Sequence, residues 1–267
     1  MNVNENAWAK YGQLLYKASK RAGDEFRDAI WNVNGYFGGV GLGNIPRDEL
    51  LRYAYVIASK YGEATAALAA AMYDDIAVAS GVVVESAVPA ATATFGEVAK
   101  AVNGTAKIGN PEIVGGAIER LVKMAGDDTV LQNASRDGAQ VAYIVHGDTC
   151  AYCIVLAGDG WHSTSADDFI DGHAAHLHAN CDCTYGVRFN DSLKYAFYKP
   201  EKYARMYYDA PLRDGETPTS KNRINAMRRA AYAKNKDEIN RQKRAAYQIR
   251  KELNESKAEE INVGGGG

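Results

Sequence analysis

Apolar side chains recur at three- and four-residue spacing through the first half of the chain, which is the signature of helices that bury one face. Over residues 5–32 the stripe is Trp8, Tyr11, Leu14, Leu15 and Ala18, continued by Phe26 and Ile30. Lys17, Lys20, Arg21 and Arg27 sit mainly off it. The glycines of residues 35–43 break this helix. No Gly-Lys-Ser/Thr follows and no strand precedes them, so they read as a turn and not as a phosphate loop. Pro46, followed by Asp48 and Glu49, opens a second helix expected to run to about residue 80, with a bend near Gly62. Its alanine-rich second half suits close helix packing. A Pro-containing connector follows at 81–92, then a helix over about 92–102. Asn110-Pro111 opens another helix to about 125, with Ile113, Ile118, Leu121, Val122 and Met124 on its apolar side. Residues 127–140 are expected to form a separate helix.

The period then changes from helical to alternating. Val141–Val145 and Thr184–Phe189 read as strands. Between and beside them lies the densest chemistry of the chain. All 4 cysteines (Cys150, Cys153, Cys181, Cys183) and all 5 histidines (His146, His162, His173, His176, His178) fall between His146 and Cys183. The stretch reads HGDTCAYC, a polar spacer, then HLHANCDC. The spacer, residues 154–177, is expected to be an exposed loop with one helical turn.

Cys150 and Cys153 have the two-residue gap that lets two thiolates face one ion, and His178 with Cys181 forms a second pair at similar spacing. The expected ligands of a structural Zn²⁺ are Cys150, Cys153, His178 and Cys181, with Cys183 a near-equal substitute for either of the last two. Disulfide pairing is the competing reading. No His-x-Glu with Pro-Cys-x-x-Cys and no HExxH is present, and no catalytic residue is assigned. A hydrolase or metal-dependent nuclease would have to be built from Asp167, Asp168, Asp171, His173 and His176, where no ordered acid–base pattern emerges.

Composition narrows the class. The 267 residues are 46% hydrophobic and 24% charged, enough apolar content for a core in one large or two modest domains. The net charge of −2 demands no polyanionic partner globally. No apolar run is long enough to span a membrane, and the start lacks a basic patch before an apolar core, so neither a membrane span nor a secretory signal is expected. Synthesis in a cytoplasm fits the cysteine usage.

Charge is unevenly placed, however. Beyond Pro218 the chain repeats itself: Ile224-Asn225 returns as Ile239-Asn240, and Arg228-Arg229-Ala-Ala-Tyr232 as Lys243-Arg244-Ala-Ala-Tyr247. A shift of fifteen residues is about four helical turns, which keeps repeated residues near one face. A single long helix from about Thr219 to Lys257 is expected. Its basic residues, Arg228, Arg229, Lys234, Lys236, Arg241, Lys243, Arg244, Arg250 and Lys251, are candidate contacts for nucleic acid or an acidic protein surface. A nucleic-acid-binding protein working through this arm is therefore a further reading, although no base-reading module is present. The expected class is mainly α: an N-terminal helical domain over 1–126, a small α+β zinc-knuckle module over 127–200, and a long basic helical arm with a flexible glycine tail over 201–267.

The run DTVLQNASRDGA before the first cysteine pair, GDTCAYCIVLA at it, and HANCDC after it resemble the minor head proteins of tailed bacteriophages of Gram-positive hosts, which are distantly related to Mu F-like head-morphogenesis proteins. The likeness covers about residues 127–189. It carries over Arg136, Asp148, Cys150, Cys153, His178, Cys181 and Cys183; the extra histidines at 173 and 176 leave the histidine ligand open. The resemblance implies a virion structural protein made in the bacterial cytoplasm and placed in the inner head near the portal. Portal and capsid or scaffold proteins would be its partners, with packaged DNA as a further contact for the arm, and the resemblance implies no catalytic activity.

Overall fold

A computed structural model describes residues 3–37, 45–106, 111–146, 150–170, 173–174, 183–191, 195–234, 236 and 240–241. It is mainly helical with a small antiparallel sheet. The chain divides into two compact units, Met1–Ala204 and Arg205–Gly267.

The first unit is built on three long helices, α1 (Val3–Phe37), α2 (Arg47–Ala79) and α4 (Pro111–Asp137), each packed on the other two. The expected stripe of α1 is the face that goes inside: Trp8, Tyr11, Leu15, Phe26 and Ile30 are buried. In α2 the alanine-rich half supplies Ala66, Ala69, Ala70 and Ala77 to the interior, where the small side chains let neighbouring backbones approach. At the α1–α4 crossing, a Cβ on Gly23 would lie 2.8 Å from Cγ of Glu119, so any larger residue there would have to displace the Glu119 side chain. Glu119 is buried at this crossing and takes Lys20 Nζ at 2.8 Å and Arg27 Nη2 at 3.3 Å. Its charge is tolerated in the interior because both cations reach it. Of the glycine break expected at 35–43, residues 35–37 still belong to α1, and 38–43 lie outside the described residues.

Two expectations need correction. The helices expected at 110–125 and 127–140 are one continuous helix, α4, so the domain boundary expected at 126/127 falls within it. Gly126-Asp127-Asp128 looks like a break, because glycine and acidic residues are poor in helix interiors. The apolar spacing nevertheless runs through it, from Ile118, Leu121 and Val122 to Val130 and Leu131, and burial of that face decides the outcome. Gly126 is used for closeness: a Cβ there would lie 2.7 Å from the Tyr11 hydroxyl. Ile113, expected on the apolar side, is exposed.

Between α2 and α3 (Phe95–Ala106), the connector is extended and clamped by side chains. Ala87 N–H donates to Asp74 Oδ1 at 2.8 Å and Ala90 N–H to Thr129 Oγ1 at 2.9 Å. Asn133 answers both backbone groups of Val88, accepting its N–H and donating to its carbonyl, each at 2.9 Å. Arg136 donates to the Glu85 carbonyl at 2.7 Å. A segment without ladder partners thus still satisfies these backbone groups.

After α4, β1 (Gln140–Ile144) lies between β2 (His162–Ser163) and β5 (Thr184–Arg188), antiparallel to both. The two expected strands that flank the cysteine stretch are present and pair with each other, with Tyr143 opposite Tyr185 and Ile144 opposite Thr184. The spacer is more ordered than an exposed loop. It continues α5 (Ala151–Gly158), includes β2 and a 3-10 turn at Ala166–Asp168, and forms a second small sheet from β3 (Phe169–Ile170) and β4 (His173–Ala174). Helix α6 spans Pro200–Tyr208.

In the second unit, residues 220–234 are helical. Thr219 starts this helix by accepting Asn222 N–H on its hydroxyl at 3.3 Å. Arg229 holds Glu216 at 2.8 and 3.3 Å, and this contact, after the Arg213 backbone N–H, helps keep the Glu216 carboxyl below its usual range. Most of the long helix expected beyond this point lies outside the described residues.

Candidate functional site

The β1–β5 register brings both ends of the cysteine stretch to one end of the sheet, since β1 exits there and β5 enters there. The first cysteine pair lies at the start of a helix and not in the expected tight knuckle turn. Cys150 is the N-cap of α5, with extended backbone, and its sulfur accepts the N–H of Cys153 at 3.4 Å. Cysteine thus stands in the capping position that serine or aspartate usually fills. The Cys150 thiol is exposed, while Cys153 is buried one turn along. Their sulfurs are 3.4 Å apart, and the Tyr143 hydroxyl lies 3.5 Å from the Cys153 sulfur. Cys183 is buried just before β5.

Two thiolates on one tetrahedral zinc, each about 2.3 Å from it, are about 3.8 Å apart. The Cys150–Cys153 pair therefore fits half of a zinc site. His178 and Cys181, expected to complete it, lie outside the described residues. Among the described residues no group of three potential ligands converges.

The two histidine side chains that are described, His146 and His162, both meet neighbouring groups. His146 stacks on Trp8, with ring centroids 4.6 Å apart and planes at 7°, and its Nε2 lies 3.5 Å from Thr184 Oγ1. His162 Nε2 meets Asp168 Oδ1 at 3.0 Å, and its Nδ1 lies 3.3 Å from the Gly160 carbonyl. Asp168 also accepts the Ser165 N–H at 2.6 Å, so it caps the 3-10 turn. Asp167 is exposed. Asp148, Asp171 and His176, and the side chain of His173, lie outside the described residues.

The sequence pattern did not reveal a buried acidic pair. Asp127 and Asp128 on α4 are 0% and 1% exposed. Asp128 Oδ1 accepts Ala174 N–H at 2.6 Å, which pins β4, and with it the entry to the histidine-rich segment, onto the helical layer. Burial, and then the charges of Asp127 and Asp128, hold the Tyr11 phenol well above its ordinary range. Burial, followed by Asp127, does the same to Tyr185. The available signal was the apolar spacing on both sides of the two acids.

A family model described as VG15 protein matches residues 2–210. The chain belongs to the VG15 family. As a VG15 protein it is a phage protein, in keeping with the origin that the cysteine motif implied. The match takes in the helical layer and the whole cysteine stretch, and it ends before the basic repeat. No curated protein and no solved structure matches the chain. Among the described residues no helix is long and apolar enough to cross a membrane.

Of the candidate arm contacts, Arg228, Lys234, Lys236 and Arg241 are exposed, whereas Arg229 is the half-buried partner of Glu216. Lys243, Arg244, Arg250 and Lys251 lie outside the described residues.

Proposed function

We propose that this phage protein is a minor capsid protein of head morphogenesis, non-enzymatic, made in the host cytoplasm and built into the inner head near the portal. The observation that carries the reading is the combination of the family match over residues 2–210 with the DTVLQNASRDGA, CAYC and HANCDC runs. Portal and capsid or scaffold proteins are its partners, and the basic arm contacts them or packaged DNA. Zinc would be held by Cys150 and Cys153 with two of His178, Cys181 and Cys183, and it would supply a structural cross-link and no reaction. The pair spacing supports this assignment.

Of the five residues of the hydrolase reading, the side chains of Asp167 and Asp168 are described, and Asp167 is exposed. Asp168 and His162 are engaged with each other and with a turn. For the arm, exposed Arg228, Lys234 and Lys236 are compatible with either phosphate or acidic protein.

The test is to probe purified heads, tails and free host lysate for this chain, and to measure zinc in the purified full chain. The chain is expected in heads, with about one zinc per chain. Its absence from heads overturns the capsid role; metal-free protein overturns the zinc assignment alone.

A further inference from the structure

Cys150 and Cys153 have a second chemistry available that needs no metal. The first sulfur is exposed at the start of a helix and the second is buried one turn along, in contact with it at 3.4 Å. Reactive cysteines are found in this kind of setting, partly exposed at helix N-termini and separated by two residues from a partner. Closing the pair to a disulfide requires the sulfurs to move from 3.4 Å to about 2 Å, a rotation of side chains on one helical turn. Tyr143 comes from β1, a separate element, and its hydroxyl lies 3.5 Å from the Cys153 sulfur. The buried sulfur thus has a polar contact from outside its own helix.

We propose that Cys150 and Cys153 form a thiol–disulfide exchange site, with Cys150 as the attacking thiol, Cys153 as the resolving thiol and Tyr143 as the positioning residue. The co-substrate class is a small disulfide or an exposed protein disulfide, RSSR. The Cys150 sulfur attacks RSSR, its S–H proton leaves with the first RSH, and Cys150–S–SR remains. The Cys153 sulfur then attacks Cys150, its proton leaves with the second RSH, and the Cys150–Cys153 disulfide forms. Two thiols of the chain are oxidised and one RSSR is reduced to two RSH. The proposal rests on the geometry of the pair and not on the zinc reading. Zinc and disulfide would be alternative states of the same two sulfurs.

Full-length protein, stripped with a chelator, is titrated with glutathione disulfide and followed by intact mass and peptide mapping. The expected result is loss of two hydrogens, mapped to a Cys150–Cys153 bond and reversed by a dithiol reductant. Cys153→Ser should arrest the reaction as a glutathione adduct on Cys150, and Cys150→Ser should abolish both adduct and bond. Serine at position 150 retains a capping oxygen, so that variant keeps the start of α5. Tyr143→Phe should prolong the mixed disulfide while leaving its formation unchanged, a split that loss of packing alone would not produce. The proposal is overturned if stripped protein forms no Cys150–Cys153 bond, if oxidation links Cys150 to Cys181 or Cys183, or if the Cys153→Ser variant carries no adduct on Cys150. Zinc content of the protein before stripping is read separately, so failure of the metal assignment and failure of the exchange site are distinguishable.

Discussion

Helix α4 and the segment from Cys150 to Cys183 lie in the same unit but are held by different means. Helix α4 is buried along nearly its whole length, and its apolar residues reach α1, α2 and α3. The cysteine segment contains the short helix α5 and strands of two residues each; it buries Cys153, Ile154, Ala157 and Ala174, and placed polar contacts add to that packing: Asp128 to Ala174, Tyr198 to the Ala157 carbonyl at 2.9 Å, and the Cys150 cap. One region rests on a long face removed from water, the other on a few small buried side chains together with placed hydrogen bonds. The contrast explains why the ligand-type residues gather where they do. A segment that supplies fewer and smaller core residues leaves more of its side chains for chemistry, provided that the helical layer holds it.

The largest way to test this contrast is Ile118→Ala. Ile118 is fully buried in α4, and its truncation should cost about 3 kcal/mol, seen as a single shifted unfolding transition by denaturant titration. A loss below ~1 kcal/mol would show that α4 is not the foundation of the unit. Asp128→Ala should cost about 2 kcal/mol by leaving the Ala174 N–H buried without its acceptor. Its signature is local: amide exchange at 173–174 should speed up far more than exchange in α2. Equal acceleration in both would mean that the segment and the helical layer open together.

A pH effect belongs to the helical side of the comparison. The Arg136 guanidinium, then the Tyr73 hydroxyl, hold the Asp137 carboxyl below its usual range. The folded state therefore favours the ionised form. The resulting stabilisation is complete above the unfolded carboxylate value of about 4 and is lost as pH falls through the lower folded value. Asp137→Asn should flatten this acid limb of the stability curve and leave the neutral-pH slope unchanged. An unaltered acid limb would mean that Asp137 contributes nothing to it. The smallest effect is expected for Cys150→Ser in metal-stripped, reduced protein, where serine replaces a capping sulfur with a capping oxygen; stability should change by less than ~1 kcal/mol in thermal melts, and a larger loss would show that the sulfur does more than cap.

Much of the helical layer was readable from spacing alone. Trp8, Tyr11, Leu15, Phe26 and Ile30 recur at the period that turns them to one side, and burial follows that face. The same reading failed at Gly126-Asp127-Asp128, because local preference and tertiary burial point in opposite directions there. At the cysteine stretch, the residue types and the flanking strands were legible. That Cys150 would cap a helix was not, since a two-residue gap between cysteines suits a turn and a first helical turn alike. The roles of His146 and His162 were equally hidden: a histidine's partners, Trp8 in one case and Asp168 in the other, are set by which elements meet.

By itself the sequence determined the helical character of the N-terminal half, which two runs flanking the cysteines are strands, and that the sulfur and imidazole chemistry is confined to one stretch. These features come from periodicity and composition, which act over a few residues and need no knowledge of neighbours. Only the tertiary structure decided that α4 runs unbroken beneath two buried aspartates, that Asn133 and Arg136 clamp an extended connector, and that one cysteine of the first pair faces solvent while the other is enclosed. Each of those depends on groups far apart in the chain removing one another from water, and the free energy of that removal has no counterpart in local sequence.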